Sequence, residues 1–360
     1  MRNKTDPEKV SLFDSTQYGS AAERERERVR LRLVHSYDNI VSLDNLLVSW
    51  QEFLRGKRKR KDVAEFILNF SDNLLMLHNK LINKTYKHGG YQAFKITDPK
   101  PRDIHKAKIE DRIVHHAIYR ILYPYFDKKF IFDSYSCRRN KGTHKAINRL
   151  GVFGRKVSKN NIRTTWVLKC DIKKFFANIN HKILIEILEK YIGDQDLLWL
   201  LDEIIKSFST EGNLGIGIPL GNLTSQLLVN IYMNEFDQFV KRKLKVKYYI
   251  RYADDFLVLS ENKQYLEGLI PKFSEFLEKE LKLSLNLDKL FIKTLASGID
   301  FLGWISFPYY RILRTSTKRR MLRRLSKNKS KGTLNSYLGL LSHGNTHKLS
   351  QKIISESQSD

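Results

Sequence analysis

RYADDFLVLS, residues 251–260, sets Asp254 and Asp255 side by side between two apolar runs. Adjacent carboxylates repel, and flanking strands would strip them of water, so the pair needs solvation in a turn, protonation or a compensating cation. KYYIRY (247–252) and FLVLS (256–260) read as the two arms of a β-hairpin with ADD at its turn. Upstream, TTWVLKC (164–170) is a further β-type run that leads directly into Asp171 and DIKKFFANI. An acid at a strand end before a helix can be a helix cap or can project into a cleft. With the hairpin beside it, Asp171 becomes the third carboxylate of a hard oxygen site suited to Mg²⁺, with substrate phosphates as further ligands. Such a site supports two-metal phosphoryl or nucleotidyl transfer.

The chain has 360 residues, 41% of them hydrophobic, enough for one large domain or two smaller ones sharing a core. Lys and Arg number 65 against 39 Asp and Glu, a net charge of +26, so the expected partner is a polyanion, nucleic acid before membrane. The two cysteines, Cys137 and Cys170, lack zinc-type spacing and are read as reduced thiols of a cytoplasmic protein. No stretch approaches the roughly 18 apolar residues of a membrane span, and the N-terminus has no signal-like apolar segment. His115, His116, His144, His181, His343 and His347 lack metal-ligand spacing with cysteine and are read as structural or phosphate-facing.

Along the chain, residues 1–20 form a loose lead, and ERERERVRLRL (23–33) pairs charges at i,i+3 as an exposed helix does. RGKRKRK (55–61) fits a nucleic-acid contact or a flexible loop. From Asp62 one amphipathic helix is expected, with Val63, Phe66, Ile67, Phe70, Leu74, Leu77 and Leu81 on a single stripe. YQAFKI (91–96) alternates like a strand, and a helix from Ile109 should stop near Pro124. Helices are expected near 181–192, 196–208 and 262–281, with another running to about 243 after the glycine-rich GNLGIGIPLGNLTSQ. After Pro308 the composition turns strongly basic, with Lys318, Arg319, Arg320, Arg323 and Arg324 in a separate helical subdomain. The irregular order of helices and strands indicates an α+β fold with a mostly antiparallel sheet.

YADD in a hairpin after DIKKFF resembles the palm of reverse transcriptases. Other segments agree in order: KPR (100–102), DSYSCRRNKGTHKA (133–146), GIPLGNLTSQ (217–226), LNLDK (285–289) and FLGW (301–304). The resemblance covers roughly residues 55–345. It implies a right-hand polymerase: an N-terminal helical extension (1–54), fingers with part of the palm (55–165), a palm (166–307) and a small basic helical thumb (308–360). It implies an RNA template, a DNA or RNA primer and dNTPs as partners, and two Mg²⁺ ions, for which Mn²⁺ can substitute.

Carried over residue by residue, the resemblance makes Asp171, Ile172, Asp254 and Asp255 the metal site, with the three aspartates catalytic. Lys289 stands where such polymerases carry a lysine that protonates the pyrophosphate, although a solvated lysine reads equally well there. Lys100 and Arg102 would grip the triphosphate, and Phe176 would be the steric gate against a ribose 2′-OH, its other reading being an ordinary core aromatic. Leu220, Gly221, Gln226 and Tyr252 would line the nucleotide. Arg138, Arg139 and Lys141, the Phe301–Leu302–Gly303 primer grip, and the thumb residues Lys318, Arg319, Arg320, Arg323 and Arg324 would hold nucleic acid.

IPLGNLTSQ narrows the group. Most reverse transcriptases carry Gln at Leu220 and Pro at Gln226, whereas this pattern is similar to the enzymes of bacterial diversity-generating retroelements, as are SYSCRRNKGTHKA and SYLGLLSHGN. In that group the aliphatic position is linked to misincorporation opposite template adenine. The expected function is error-prone copying of a structured non-coding RNA, with a small accessory protein as a further partner. The alternative is an antiphage-defence enzyme copying a dedicated non-coding RNA. An RNA-copying RNA polymerase is disfavoured by the bulky Phe176, and a non-catalytic RNA scaffold would not need the three aspartates together with Lys100 and Arg102.

Overall fold

The computed structural model describes residues 32–97, 101–328 and 330–358. Two short helices, α1 (Tyr37–Val41) and α2 (Leu43–Leu54), lead into α3 (Lys61–Leu68) and α4 (Phe70–Ile82). An isolated hairpin follows, β1 (Tyr91–Ile96) with β2 (Arg102–Ala107), then the long helices α5 (Ile109–Asp127) and α6 (Thr143–Val157). Strand β3 (Trp166–Asp171) precedes α7 (His181–Tyr191), α8 (Gln195–Lys206) and α9 (Leu223–Gln238). The hairpin β4 (Tyr249–Tyr252) and β5 (Asp255–Ser260) is followed by α10 (Lys263–Leu281) and β6 (Phe291–Thr294). The chain closes with β7 (Ile299–Phe301), β8 (Trp304–Ser306) and β9 (Arg311–Leu313), then α11 (Thr315–Lys327), α12 (Lys331–Leu341) and α13 (His347–Gln358).

The central sheet is antiparallel in the order β4-β5-β3-β6. Its inner strands β5 and β3 are mostly apolar on both faces because both are covered. Leu168 and Cys170 of β3, with Phe256 and Val258 of β5, face a core that includes Phe236 of α9 and Phe273 of α10. Val167, Leu257 and Leu259 face a second core, built from Ile147, Leu150 and Phe153 of α6 and from Phe301 and Trp304 of the β7–β9 sheet. Met321, Leu341 and Ile353 bring the basic C-terminal helices into that same core. The fold is thus the expected mixture of helices and antiparallel sheets.

Three local expectations change. The single stripe from Asp62 breaks at Asn69 (φ −122°, ψ 43°), so α3 and α4 are separate helices. Val63, Phe66, Leu74, Leu77 and Leu81 are buried as the periodicity demands, but Ile67 faces solvent. The Asn73 amide donates to the Phe66 carbonyl across the break and satisfies a helix-end acceptor there (3.2 Å). Helix α5 does not stop at Pro124 but continues to Asp127. One proline in a last turn removes a single hydrogen bond, and continuing buries Phe126. The alternating-charge run from Glu23 lies outside the described residues up to position 31. Among the described residues no helix is long and apolar enough to cross a membrane.

Candidate active site

Cross-strand register brings the acids together. Asp171, the last residue of β3, pairs directly with Asp255, the first of β5, and Asp254 sits in the β4–β5 turn just before it. Tyr252 pairs with Asp255, which leaves a two-residue loop of Ala253 and Asp254. The Ile172 amide donates to the Asp254 carbonyl (3.1 Å) and fixes that turn against the end of β3.

The electrostatics show how the carboxylates coexist. Burial, followed by the charge of Asp171, raises the pKa of Asp254, while Lys289 and Arg102 pull it back down. Burial pushes Asp255 up to about 7, against the opposing pull of Lys169. Lys289 donates to Asp171 Oδ1 (2.7 Å), and so does the Asn286 amide (3.2 Å). Lys169 Nζ lies 3.3 Å from Asp255 Oδ2 and donates to the Asp300 carbonyl (2.8 Å). Asp255 Oδ1 is buried without a partner.

The site can be tested against the expected cation. Among the described residues no three His, Cys, Asp or Glu side chains converge as a complete ligand set. Mg²⁺ does not need one, since it is commonly held by one or two carboxylates together with waters and substrate phosphates. An all-oxygen donor set, mutually repelling carboxylates and an orphaned carboxylate oxygen fit such an ion. Asp171 and Asp254, whose charges repel, are residues that could hold it, with the backbone of Ile172 next to Asp171. Lys169 lies against Asp255 Oδ2, and Asp255 Oδ1 is the orphaned oxygen.

Around the acids, Phe176 is half-buried in a 3₁₀ turn, its ring 5.5 Å from that of Phe175. Its carbonyl accepts from the Ile218 amide (2.8 Å), which docks the glycine-rich segment beside it. The Leu220 carbonyl accepts from the His105 amide of β2 (3.1 Å), and Asn222 donates back to the His105 carbonyl (3.0 Å). Between them Gly221 has φ +114°, and a Cβ there would come within 2.9 Å of Ile104, so only glycine suits the crossing. Gln226 lies in the first turn of α9, and the Tyr252 hydroxyl accepts from Thr143 (3.3 Å). Arg102 opens β2 with its charge acting on Asp254. Lys100 lies outside the described residues.

Two expected nucleic-acid contacts turn out to be internal. The Arg138 side chain is 6% exposed and donates to Asp127 Oδ1 and to the carbonyls of Asp127, Ile131 and Ser134, so its donors are spent on the fold. Phe301 is fully buried and packs in the second core. Only the turn beyond it is accessible: Leu302 and Gly303, both at positive φ, form a two-residue loop between β7 and β8. Arg139 lies over the Tyr123 ring (5.1 Å) and Lys141 over Phe132 (3.5 Å). Lys318, Arg319 and Arg323 are exposed on α11, with Arg320 and Arg324 on the same helix. In the 55–61 run, Lys57 caps the Phe53 carbonyl (2.7 Å) and Lys61 opens α3. The rings of His144 and His343 stack at 3.6 Å, which gives both a structural partner.

Sequence reasoning missed three participants. Lys169, two residues before Asp171, shares its face of β3, and the period-2 spacing is the signal for it. Asn286 lies inside the LNLDK motif. Arg251 is fully buried and paired with Asp237 of α9, and its charge in an apolar strand is the cue.

Comparison with known proteins bears on the same residues. Residues 95–306, which include all three aspartates, match the family model described as reverse transcriptase (RNA-dependent DNA polymerase). Protein YkfC of Escherichia coli K12 is 29% identical over 231 residues, 54% of this chain and 60% of that protein. The group II intron-encoded protein LtrA of Lactococcus lactis is 26% identical over 50% of this chain and 27% of its own length. The chain thus spans less than two thirds of these curated relatives. A solved telomerase from Candida albicans, in complex with a telomeric RNA fragment, superposes with a TM-score of 0.51. It is 13% identical over 76% of this chain and 54% of its own, a likeness of fold.

Proposed function

Because the chain belongs to the reverse transcriptase (RNA-dependent DNA polymerase) family, we propose that it copies an RNA template into DNA by two-metal nucleotidyl transfer. The observation that carries this reading is the direct pairing of Asp171 with Asp255, next to Asp254, inside the matched segment. Two Mg²⁺ ions held by Asp171, Asp254, Asp255 and the Ile172 carbonyl would lower the pKa of the primer 3′-OH and steady the leaving pyrophosphate. The chain's own residues do the rest. Arg102 and Lys289 bring positive charge to the acids on the triphosphate side, and Lys289 is the group available to give pyrophosphate a proton. Phe176 lies under the sugar and excludes a 2′-OH. Lys100 joins Arg102 in gripping the triphosphate.

Residues 55–165 serve as fingers, 166–307 as palm and 308–360 as thumb, with 1–54 an N-terminal extension. The Leu302–Gly303 turn, Arg139, Lys141 and the basic face of α11 hold the template–primer. Within the family we read the chain as a cytoplasmic error-prone polymerase of a diversity-generating retroelement, copying a structured non-coding RNA with a small accessory protein. The support is Leu220: an aliphatic side chain against the nascent base pair offers no hydrogen bond to check it.

Asp254→Ala with Asp255→Ala should abolish dNTP incorporation on a primed RNA while RNA binding persists. Full incorporation by that double variant would remove the catalytic assignment. Sequencing of cDNA made in vitro decides the finer reading, with errors expected to concentrate opposite template adenine. Errors spread evenly over all bases would favour an ordinary-fidelity enzyme, such as one serving phage defence.

A further inference from the structure

The turn that carries Asp254 is strained. In its two-residue loop, Ala253 adopts φ +56°, a region that hairpins of this kind normally give to glycine. A non-glycine residue persists there only when its surroundings over-determine it. Those surroundings converge on one side chain. Arg251 is 0% exposed, and its Nη1 donates to the Ala253 carbonyl (3.1 Å). Its Nε and Nη2 form a bidentate pair with the two oxygens of Asp237 on α9 (2.8 and 2.7 Å). Nη2 also reaches Ser134 Oγ (3.1 Å) and Nη1 reaches Asn230 Oδ1 (3.3 Å). The Tyr249 hydroxyl completes the set by donating to Asp237 Oδ1 (2.8 Å).

This network joins β4, helix α9 and the 133–136 loop. Helix α9 begins at Leu223, just after the Leu220–Gly221 crossing, so one rigid helix connects the segment beside the nucleotide to the acidic turn. The backbone agrees: the Arg251 amide donates to the Asp133 carbonyl, and the Tyr135 amide to the Arg251 carbonyl (both 2.9 Å). Asp254 and Arg251 also feel each other's charge.

We propose that Arg251, paired with Asp237, is a positioning residue for nucleotidyl transfer: it holds the Ala253–Asp254 turn in the geometry that aims Asp254 at the metal site. The inference rests on the polymerase reading above. A buried ion pair is a costly way to stabilise a fold, since an apolar set of similar volume serves as well or better. Its use here is the directional grip on one carbonyl, which an apolar set cannot supply.

The test separates fold from positioning. In the full chain, Arg251→Met, Asp237→Leu and Tyr249→Phe are combined, which removes both charges and the hydroxyl together and leaves no buried ion. Thermal unfolding should stay close to that of the parent. Single-turnover incorporation on primed RNA should fall at least ~30-fold, with apparent dNTP affinity changed less than about threefold, the signature of misplaced reacting groups. Calorimetric affinity for Mn²⁺ should fall about tenfold for the same loss of geometry. A folded triple variant with unchanged rate and unchanged Mn²⁺ affinity overturns the proposal. Should the triple variant not fold, Arg251→Lys decides, because lysine keeps the charge but cannot form the fork and reach Ala253 as well. The same rate loss is expected there, and a parental rate overturns the idea. If the parent chain itself incorporates no dNTP, the polymerase reading fails, and the Mn²⁺ comparison still decides whether Arg251 sets the turn.

Discussion

At the scale of single residues, the two informative positions are a leucine and an arginine. Leu220 hangs from a backbone pinned on both sides, its carbonyl held by His105 and the next residue fixed as glycine. Changing its side chain should therefore leave the local backbone alone. We expect Leu220→Gln to reduce misincorporation opposite template adenine several-fold while changing overall incorporation little, as read by sequencing cDNA from the two proteins on one template. A hydrogen-bonding side chain raises the cost of a mispair by roughly 1–3 kcal/mol where a group is left unpaired. An unchanged error spectrum would leave Leu220 as a packing residue. Arg251 teaches the reverse lesson. Its motif points to the two aspartates, yet the residue that holds their turn stands three positions upstream of Asp254. Its partner Asp237 lies 14 positions away on another element, a separation that periodicity cannot bridge.

At the scale of elements, alternation and amphipathic spacing located β1, β3, the β4–β5 hairpin and helices α5 and α7 to α10, because burial follows them directly, but left β2, β9 and α6 unmarked. Every strand that reaches the acids was marked by alternating or apolar runs. Breaks were harder. Asn69 and Pro124 both conventionally mark a helix boundary, yet the asparagine ends a helix and the proline does not. In each case the neighbours decided, through Asn73 at one and Phe126 at the other. Elements also carry a pH response. His115 of α5 is fully buried against His88, their Nε2 atoms 3.2 Å apart. Burial depresses the pKa of both, His115 well below the usual histidine value. A depressed folded-state pKa gives stability that is present above the unfolded value of about 6.5 and lost as pH falls below it. Denaturation between about pH 7 and 5 should therefore show stability falling with pH, by up to about 1.4 kcal/mol per pH unit for each such histidine. His115→Phe should flatten that slope; an unaltered slope would place the proton uptake elsewhere.

At the scale of the whole molecule, the excess of basic residues and the exposed basic face of α11 belong to one property. The helix turns Met321 into the core and leaves Lys318, Arg319 and Arg323 exposed. Binding to a template–primer should weaken steeply with salt, since neutralising each phosphate releases counterions. Replacing Lys318, Arg319 and Arg323 by alanine should reduce the magnitude of the slope of log K against log salt by about 0.7–0.9 for each phosphate no longer neutralised. Fluorescence anisotropy at several salt concentrations measures this. An identical slope would mean that α11 does not touch the backbone phosphates.

Composition and alternation were enough for the α+β class, because it depends on residue type and short-range spacing, and motif order pointed to the three aspartates. The spacing between Asp171 and the hairpin told nothing of their register. Only strand pairing placed Asp171 opposite Asp255, and only packing turned Arg138 and Phe301 inward, away from the surface where they were expected. The buried ion pair behind the turn also depended on tertiary structure. Which cation answers which carboxylate is set by distance in space, and for Lys169, Lys289, Arg102 and Arg251 that distance comes from strand register and helix packing rather than from the order of residues.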